Sequence, residues 1–470
     1  MSCWFWPGHG LYLAADPTVM NFIKLTLHPL LLAGLLLAGC TDKKEQGPVG
    51  TLITGATLIN PGATTEVIAP AYVYFKGREI IAYGNLNEAG DLPRAAKTID
   101  ATGKYIMPGL VDGFATLNNQ AYANAYLYKG ITSIIEVDGG RRGPFYARAN
   151  PAPDIYRLEG LAAEPMPTDK LLPAIDSLHK AGIKVLLMMY GLTPGQARLV
   201  YEHAKALGMA TIGELGHTTY KEGMAIGIDA FVHTTRYSLD IAPRAMAAAV
   251  AREPFSNDLH SAKWLYYNYL TTLPPDDPAL LTHARNLGAS GSYIMPTLSL
   301  SYLDLPEAQN PWHDPVAAIL DPADINRPAD PVTGKHAIPA EEQAAYSNLI
   351  AHEASVIEPA YYQAGAKYLA GSATDVWGTM PGISLHTELR LLHTKPGLTI
   401  EEVLAAATVN FNKAFGWPVG QIKPGFEADI LLLDKNPLQD LENLTAINRL
   451  FSNGQEIDRE ALLKNVDRGE

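Results

Sequence analysis

The rhythm of apolar and polar positions changes twice along the chain. From Thr51 to Gly84 apolar and polar residues alternate in short runs broken by glycine. Thr51-Leu52-Ile53 and Thr57-Leu58-Ile59 flank Gly55, and the runs Ala71 to Phe75 and Glu79 to Gly84 flank Lys76-Gly77-Arg78. A period of two with turn residues between the runs predicts small antiparallel hairpins. From about Pro108 the pattern becomes apolar runs separated by helix-length segments. The runs are Ile131 to Val137, Ile183 to Met189, Met209 to Gly213, Ala230 to His233, Tyr293 to Leu298 and Ala366 to Leu369. Helical patterns lie between them at Pro194 to Leu207 and at Ala340 to Ile357, the second expected to stop before Pro359. Such alternation predicts a parallel α/β architecture, a (β/α)8 TIM-like barrel. The last stretch returns to β texture, with a buried-strand run at Ala428 to Asp434 and a closing strand and turn at Ile447 to Gly454. The expectation is therefore an α/β chain with a barrel over 108–416, inserted into a small composite β-sandwich domain made of 50–107 and 417–470. The Pro/Asp-rich segments Leu273 to Pro278 and Asn310 to Pro339 read as long loops, either capping a site or inserted at the surface.

The N-terminal segment has a different logic. Lys24 precedes the apolar stretch Leu30 to Ala38, which is too short to span a bilayer comfortably. It ends in Leu37-Ala38-Gly39-Cys40, followed by the polar run Thr41 to Gln46. This resembles a bacterial lipobox, and the resemblance implies that Cys40 is lipidated and becomes the first mature residue. A plain secretory signal with a chance cysteine is the alternative. Residues 1–39 are then a signal region and 40–49 a lipidated linker. Met1 to Val19 does not fit the pattern, so Met20 is the expected start. Thr41 rather than an aspartate after Cys40 favours an outer-membrane anchor facing the periplasm of a Gram-negative host, with the lipid as the sole membrane contact.

Composition narrows the chemistry. The 470 residues are 47% hydrophobic and 18% charged, with a formal net charge of -13. A globular chain is implied, and nucleic acid is an unlikely match for an acidic surface. The two cysteines are Cys3 and Cys40. A Cys-ligated zinc site and a disulfide framework are both excluded from the body of the protein. Any metal would be held by His, Asp, Glu or a modified Lys.

Three stretches carry a family resemblance. They are Tyr105-Ile106-Met107-Pro108-Gly109-Leu110-Val111-Asp112, the segment Glu401 to Gly416, and Gly420 to Ile430 followed by Asn436-Pro437-Leu438. Together with Gly227 to His233 they resemble the amidohydrolase superfamily, in its imidazolonepropionase/prolidase-like branch. The resemblance implies a barrel enzyme that hydrolyses carbon–nitrogen bonds of a small substrate with metal-activated water. The family carries His-x-His after the Asp112 position; here Phe114-Ala115-Thr116 stands there. Phe114 and Thr116 are thus pocket positions without a ligand pair. Lys184 matches the family's carbamate lysine, or else points outward to pair with an acid. Glu214 stands where strand 5 supplies a ligand, or is a charged loop residue; His217 lies three residues on and could substitute, although an ordinary loop histidine is favoured. His233 keeps the strand 6 ligand position, or is a core histidine. Asp375 keeps the strand 8 position of the general base, or caps the next turn. His386 resembles a family position but reads as structural. The implied site holds at most one divalent metal, zinc or manganese, on Lys184, Glu214 and His233, with Asp375 as base. A barrel that has lost its metal and serves as a non-catalytic binding lipoprotein is the alternative.

Overall fold

Five strands open the described part of the chain: β1 (Thr51–Asn60), β2 (Glu66–Lys76), β3 (Glu79–Asn85), β4 (Lys97–Asp100) and β5 (Tyr105–Pro108). The computed structural model describes residues 49–137, 148–256, 258–300, 310–336, 339–376 and 378–464. The signal region and Cys40 lie outside the described residues. Three further strands, β14 (Ile430–Leu433), β15 (Ile447–Ser452) and β16 (Gln455–Ile457), join the first five from the far end of the sequence. The expected sandwich is one eight-stranded sheet of order β16-β15-β14-β5-β1-β2-β3, with β4 on β1. It curls until its edge meets the segment before β14. Ile80 N–H donates to Phe426 O at 2.9 Å and Ala428 N–H to Arg78 O at 2.7 Å. One apolar core results, in which Ile53, Val73, Phe75, Ile106, Ile430 and Phe451 meet. Curling explains why alternation on each strand looked like half of a sandwich: one face is buried in either case.

The second sheet is parallel throughout and its strands run in chain order. They are β6 (Leu110–Ala115), β7 (Ile131–Glu136), β8 (Asp154–Leu161), β9 (Val185–Met188), β10 (Ala210–Gly213), β11 (Ala230–Val232), β12 (Tyr293–Met295) and β13 (Lys367–Tyr368). Gly113 N–H in β6 donates to Ala370 O just beyond β13 at 2.9 Å, so the first strand meets the last. Side chains alternate between two cores. On β9, Val185 and Leu187 join the inner cluster with Ile135, Ile212, Val232 and Met295, while Leu186 and Met188 join the outer one. Strands buried on both faces read as unbroken apolar runs, which is why the sequence shows them.

Helices lie between the strands and cover the outer face. They are α1 (Gln120–Tyr128) after β6, α2 (Thr168–Lys180) after β8, α3 (Pro194–Ala206) after β9 and α4 (Tyr220–Ile226) after β10. Between β11 and β12 come α5 (Thr234–Tyr237), α6 (Arg244–Arg252), α7 (Ala262–Leu270) and α8 (Pro278–Ala289). α9 (Ala340–His352) does not stop before Pro359 as expected. A π turn at Glu353–Ile357 carries it into α10 (Glu358–Gln363), where proline occupies the first turn and its missing N–H is tolerated. α11 (Ile383–Thr394), α12 (Ile400–Ala406) and α13 (Val409–Phe415) complete the outer layer. Among the described residues, no helix is long and apolar enough to cross a membrane.

Closure of the barrel depends on Gly113. A Cβ there would stand 2.5 Å from Met295 Cε, 2.8 Å from Ala370 O and 2.9 Å from Phe411 Cζ. Met295 can shift, but the carbonyl cannot move without breaking the bond that joins the strands. Gly113→Ala is expected to destabilise by about 1–3 kcal/mol. A urea melt with an unchanged midpoint would contradict this view of closure.

Candidate functional site

The C-terminal ends of the parallel strands form one mouth, where barrel sites are built. Four residues without glycine's freedom adopt positive φ just beyond these ends: Ala162 (61°), His233 (64°), Thr297 (59°) and Ala373 (51°). Such conformations cost about 1–3 kcal/mol each and cluster where function requires them.

One of these residues, His233, meets the carboxylate of Glu214. Glu214 follows β10, its N–H donating to Met188 O at 2.9 Å, and His233 follows β11, its N–H donating to Met295 O at 2.9 Å. Their side chains meet with His233 Nε2 3.2 Å from Glu214 Oε1, 16% and 9% exposed respectively. On its other side His233 Nδ1 lies 2.7 Å from Thr297 Oγ1. Burial raises the Glu214 pKa, but the His233 hydrogen bond and charge, together with Arg236 and Tyr190, outweigh it and hold the carboxyl below its ordinary value. Glu214 is therefore ionised and Nε2 carries the proton facing it. Nδ1 then accepts from the Thr297 hydroxyl, whose alternative acceptor is Pro296 O at 2.5 Å.

Around this line the walls are aromatic. Phe114 meets His233 edge-on, with ring centroids 5.0 Å apart, in the place where the family resemblance leads one to expect histidine ligands. Arg236 stacks over Tyr190 at 5.3 Å. Thr116 is buried and its Oγ1 has no hydrogen-bond partner. Asp375 lies beyond β13, where its Oδ2 accepts from Asn118 Nδ2 and from the Tyr122 hydroxyl, both at 2.9 Å. Neither Asn118 nor Tyr122 was marked by the sequence.

The other candidates lie apart. Lys184 precedes β9 at the N-terminal end of the barrel and is exposed, which corrects its reading as a ligand. Its N–H donates to Arg157 O, which fixes the register from the wrong end of the strand for the mouth. His217 is exposed on the loop after β10. His386 bonds through Nε2 to Lys129 O at 2.8 Å, and burial with the Lys129 charge pushes its pKa down to about 3, as suits a structural histidine. A cavity of about 500 Å³ opens beside α11, lined by residues such as Lys129, Ser299, Thr379 and His386, but neither Glu214 nor His233 lines it.

A zinc site of the catalytic kind requires three protein ligands and an open position. With Lys184 elsewhere and Phe114 against the imidazole, Glu214 and His233 offer two. Among the described residues, the one group of three carboxylate or imidazole ligands within 4.8 Å is Asp154, Glu427 and Asp429, at the opposite end of the barrel. The barrel mouth does not fit the metal that the resemblance implies.

Comparison with known proteins agrees with this architecture. Residues 336–457 match the amidohydrolase family. The bottromycin amidohydrolase structure superposes with a TM-score of 0.63 at 17% identity, over 89% of this chain and 89% of that one. Molinate hydrolase gives 0.59 at 14% identity, over 88% and 96% of the two chains. A Xaa-Pro dipeptidase with methionine in its active site gives 0.56 at 15%, over 87% and 99%. At these identities the likeness is one of fold. No curated protein matches the chain.

Proposed function

We propose that the whole chain belongs to the amidohydrolase family and hydrolyses a carbon–nitrogen bond of a small substrate within a (β/α)8 barrel. The observation that carries the reading is the line Thr297–His233–Glu214 at 2.7 and 3.2 Å across the mouth. It has the logic of a nucleophile, a base and an orienting carboxylate. His233 Nδ1 takes the Thr297 proton as the hydroxyl oxygen attacks the carbonyl carbon. Glu214 holds Nε2–H and stabilises the imidazolium. The same proton passes to the leaving nitrogen as the C–N bond breaks, and water then releases the acyl group from Thr297. Matching segments over 336–457 and the amidohydrolase-like fold support the reaction class. The substrate belongs to the range left open by the sequence: dipeptides, N-acyl amino acids or cyclic amides.

A second reading has its own support. Thr297 is 2% exposed and Phe114 covers one side of His233. A barrel that binds a small molecule without turning it over fits those two facts. The two readings separate in one experiment. The purified chain is assayed by mass spectrometry against Xaa-Pro dipeptides, N-acyl amino acids and cyclic amides, with and without a chelator. Turnover that persists in chelator supports the relay, and turnover abolished by chelator and restored by Zn²⁺ sinks it. Binding of a panel compound without turnover supports the second reading. For localisation the Leu37-Ala38-Gly39-Cys40 run supports an exported protein anchored by a lipid on Cys40.

A further inference from the structure

At the N-terminal end of the barrel, far from the mouth in strand direction, two chain segments bring three carboxylates together. Asp154 is the first residue of β8, and Glu427 and Asp429 precede β14. Their ligand atoms lie within 4.8 Å of one another. Each carboxylate has an engaged oxygen, and Thr132 beside Asp429 and the Asp154–Glu427 contact add to these interactions. Arg78 Nη2 lies 3.0 Å from Asp154 Oδ1 and 3.7 Å from Glu427 Oε1. Asn453 donates its side-chain amide to Asp154 Oδ1 at 3.0 Å and its backbone N–H to Asp429 Oδ1 at 2.6 Å. The second oxygens, Asp154 Oδ2, Glu427 Oε2 and Asp429 Oδ2, are buried without a hydrogen-bond partner.

Two uncharged groups neighbour the cluster along the chain and across the strand register. Asn453 Oδ1 is buried and lacks a donor. Ser452 is 4% exposed and its Oγ also lacks a partner. The antiparallel register pairs Ile430 with Phe451, so one step further sets Ser452 across from Asp429 on the same face. Buried polar atoms are nearly always satisfied. Here carboxylate oxygens from β8 and the segment before β14 lie together, one on each buried without a hydrogen-bond partner, and one guanidinium pairs with two of the three carboxylates.

We propose that Asp154, Glu427, Asp429 and Asn453 form a structural site for a hard divalent cation, with Ca²⁺ as its best match. All four donors are oxygens, three of them anionic, which suits Ca²⁺ with ligands at roughly 2.3–2.6 Å and irregular geometry. The position at the bottom of the barrel reads as stability rather than catalysis. The cation ties the curled sheet to the third barrel strand. The site owes nothing to the proposed reaction at the mouth.

The test uses the full chain stripped of cations, titrated with CaCl₂ by calorimetry and melted with and without it. One equivalent of Ca²⁺ is expected to bind and to raise Tm by about 3 °C at a hundredfold excess over Kd. Glu427→Gln and Asp429→Asn keep the shape and remove the charge, and each should abolish both signals. Asp154→Asn, altered on the barrel side, is a further variant should either of these fail to fold. Glu214→Gln should leave binding and the Tm rise intact. Failure of the wild-type chain to bind Ca²⁺ or Mg²⁺ would mean that the carboxylates share protons instead, and the proposal falls. It falls equally if the Tm rise survives in the amide variants, because the cation then binds elsewhere.

Discussion

In a His233→Asn variant, hydrolysis of whatever amide the wild-type chain turns over should fall by about three orders of magnitude in kcat. The physical reason is that His233 sits between its two partners and no neighbour can replace it. Thr297 lies 2.7 Å from one ring nitrogen and Glu214 3.2 Å from the other. Positioned proton transfer contributes roughly 10²- to 10⁴-fold, and a threonine hydroxyl has no appreciable nucleophilicity without it. Asparagine can keep one hydrogen bond but cannot carry a proton. Glu214→Gln should cost less, because Nε2–H retains an acceptor while the developing imidazolium loses its countercharge. The contrast matters, since a purely structural role for the pair predicts parallel losses of stability and activity. Thermal melts of both variants within a few degrees of wild type, together with unequal losses of kcat, would support the relay. A His233→Asn enzyme with normal kcat would remove the histidine from the chemistry.

What the sequence could reveal about this site follows from what local pattern encodes. Val185–Met188 and Ala210–Gly213 are buried on both faces, so their apolar runs announce barrel strands. β8 was invisible because Asp154, Arg157 and Glu159 break its run, and most of its residues are only partly buried. A run also says nothing about where within it the strand starts. Ile183 to Met189 read as one unit, and Lys184 fell at the end opposite the mouth. Glu214 and His233 were legible because they follow strand ends immediately. Thr297 was not, since its role depends on a backbone turn with φ of 59° that no period records. Asp154 is separated from Glu427 and Asp429 by more than half of the chain, and only the packing of one sheet against the other brings them together. Motifs that locate the ends of strands are thus informative about side chains at those ends. They are silent about contacts made by the packing of segments far apart in the chain.

Stability of the fold should decline as pH rises from about 4.5 to about 8, and Glu388→Gln should remove its own share of that decline. Glu388 lies on α11 with no exposed surface. Burial pushes its pKa up to about 8, against the Ser299 and Leu298 N–H groups, and the Glu358 and Asp112 carboxylates push the same way as burial. Its Oε2 accepts from Ser299 N–H at 2.7 Å, while Oε1 has no partner. In the unfolded chain the group titrates near 4.5. Between these values the unfolded chain has released a proton that the folded protein keeps. The unfolded state then binds fewer protons, so stability is fullest below about 4.5 and is lost as pH approaches about 8. The full shift corresponds to at most on the order of 5 kcal/mol. Glutamine is uncharged at every pH and retains an acceptor for Ser299. The variant should therefore match wild type near pH 5 and exceed it by several kcal/mol near pH 8.5. Glu358 and Asp429, raised to about 7, Asp112, raised to about 6, Glu427, raised to about 8, and Glu353, pushed well up, all chiefly by burial, leave a residual slope across the same range. Urea unfolding at half-unit steps from pH 5 to 9 measures both curves. Curves that run parallel across the whole range would mean that the Glu388 carboxyl ionises in the folded protein as freely as in the unfolded one. Its burial beside Asp112 would then have to be relieved by a donor to Oε1.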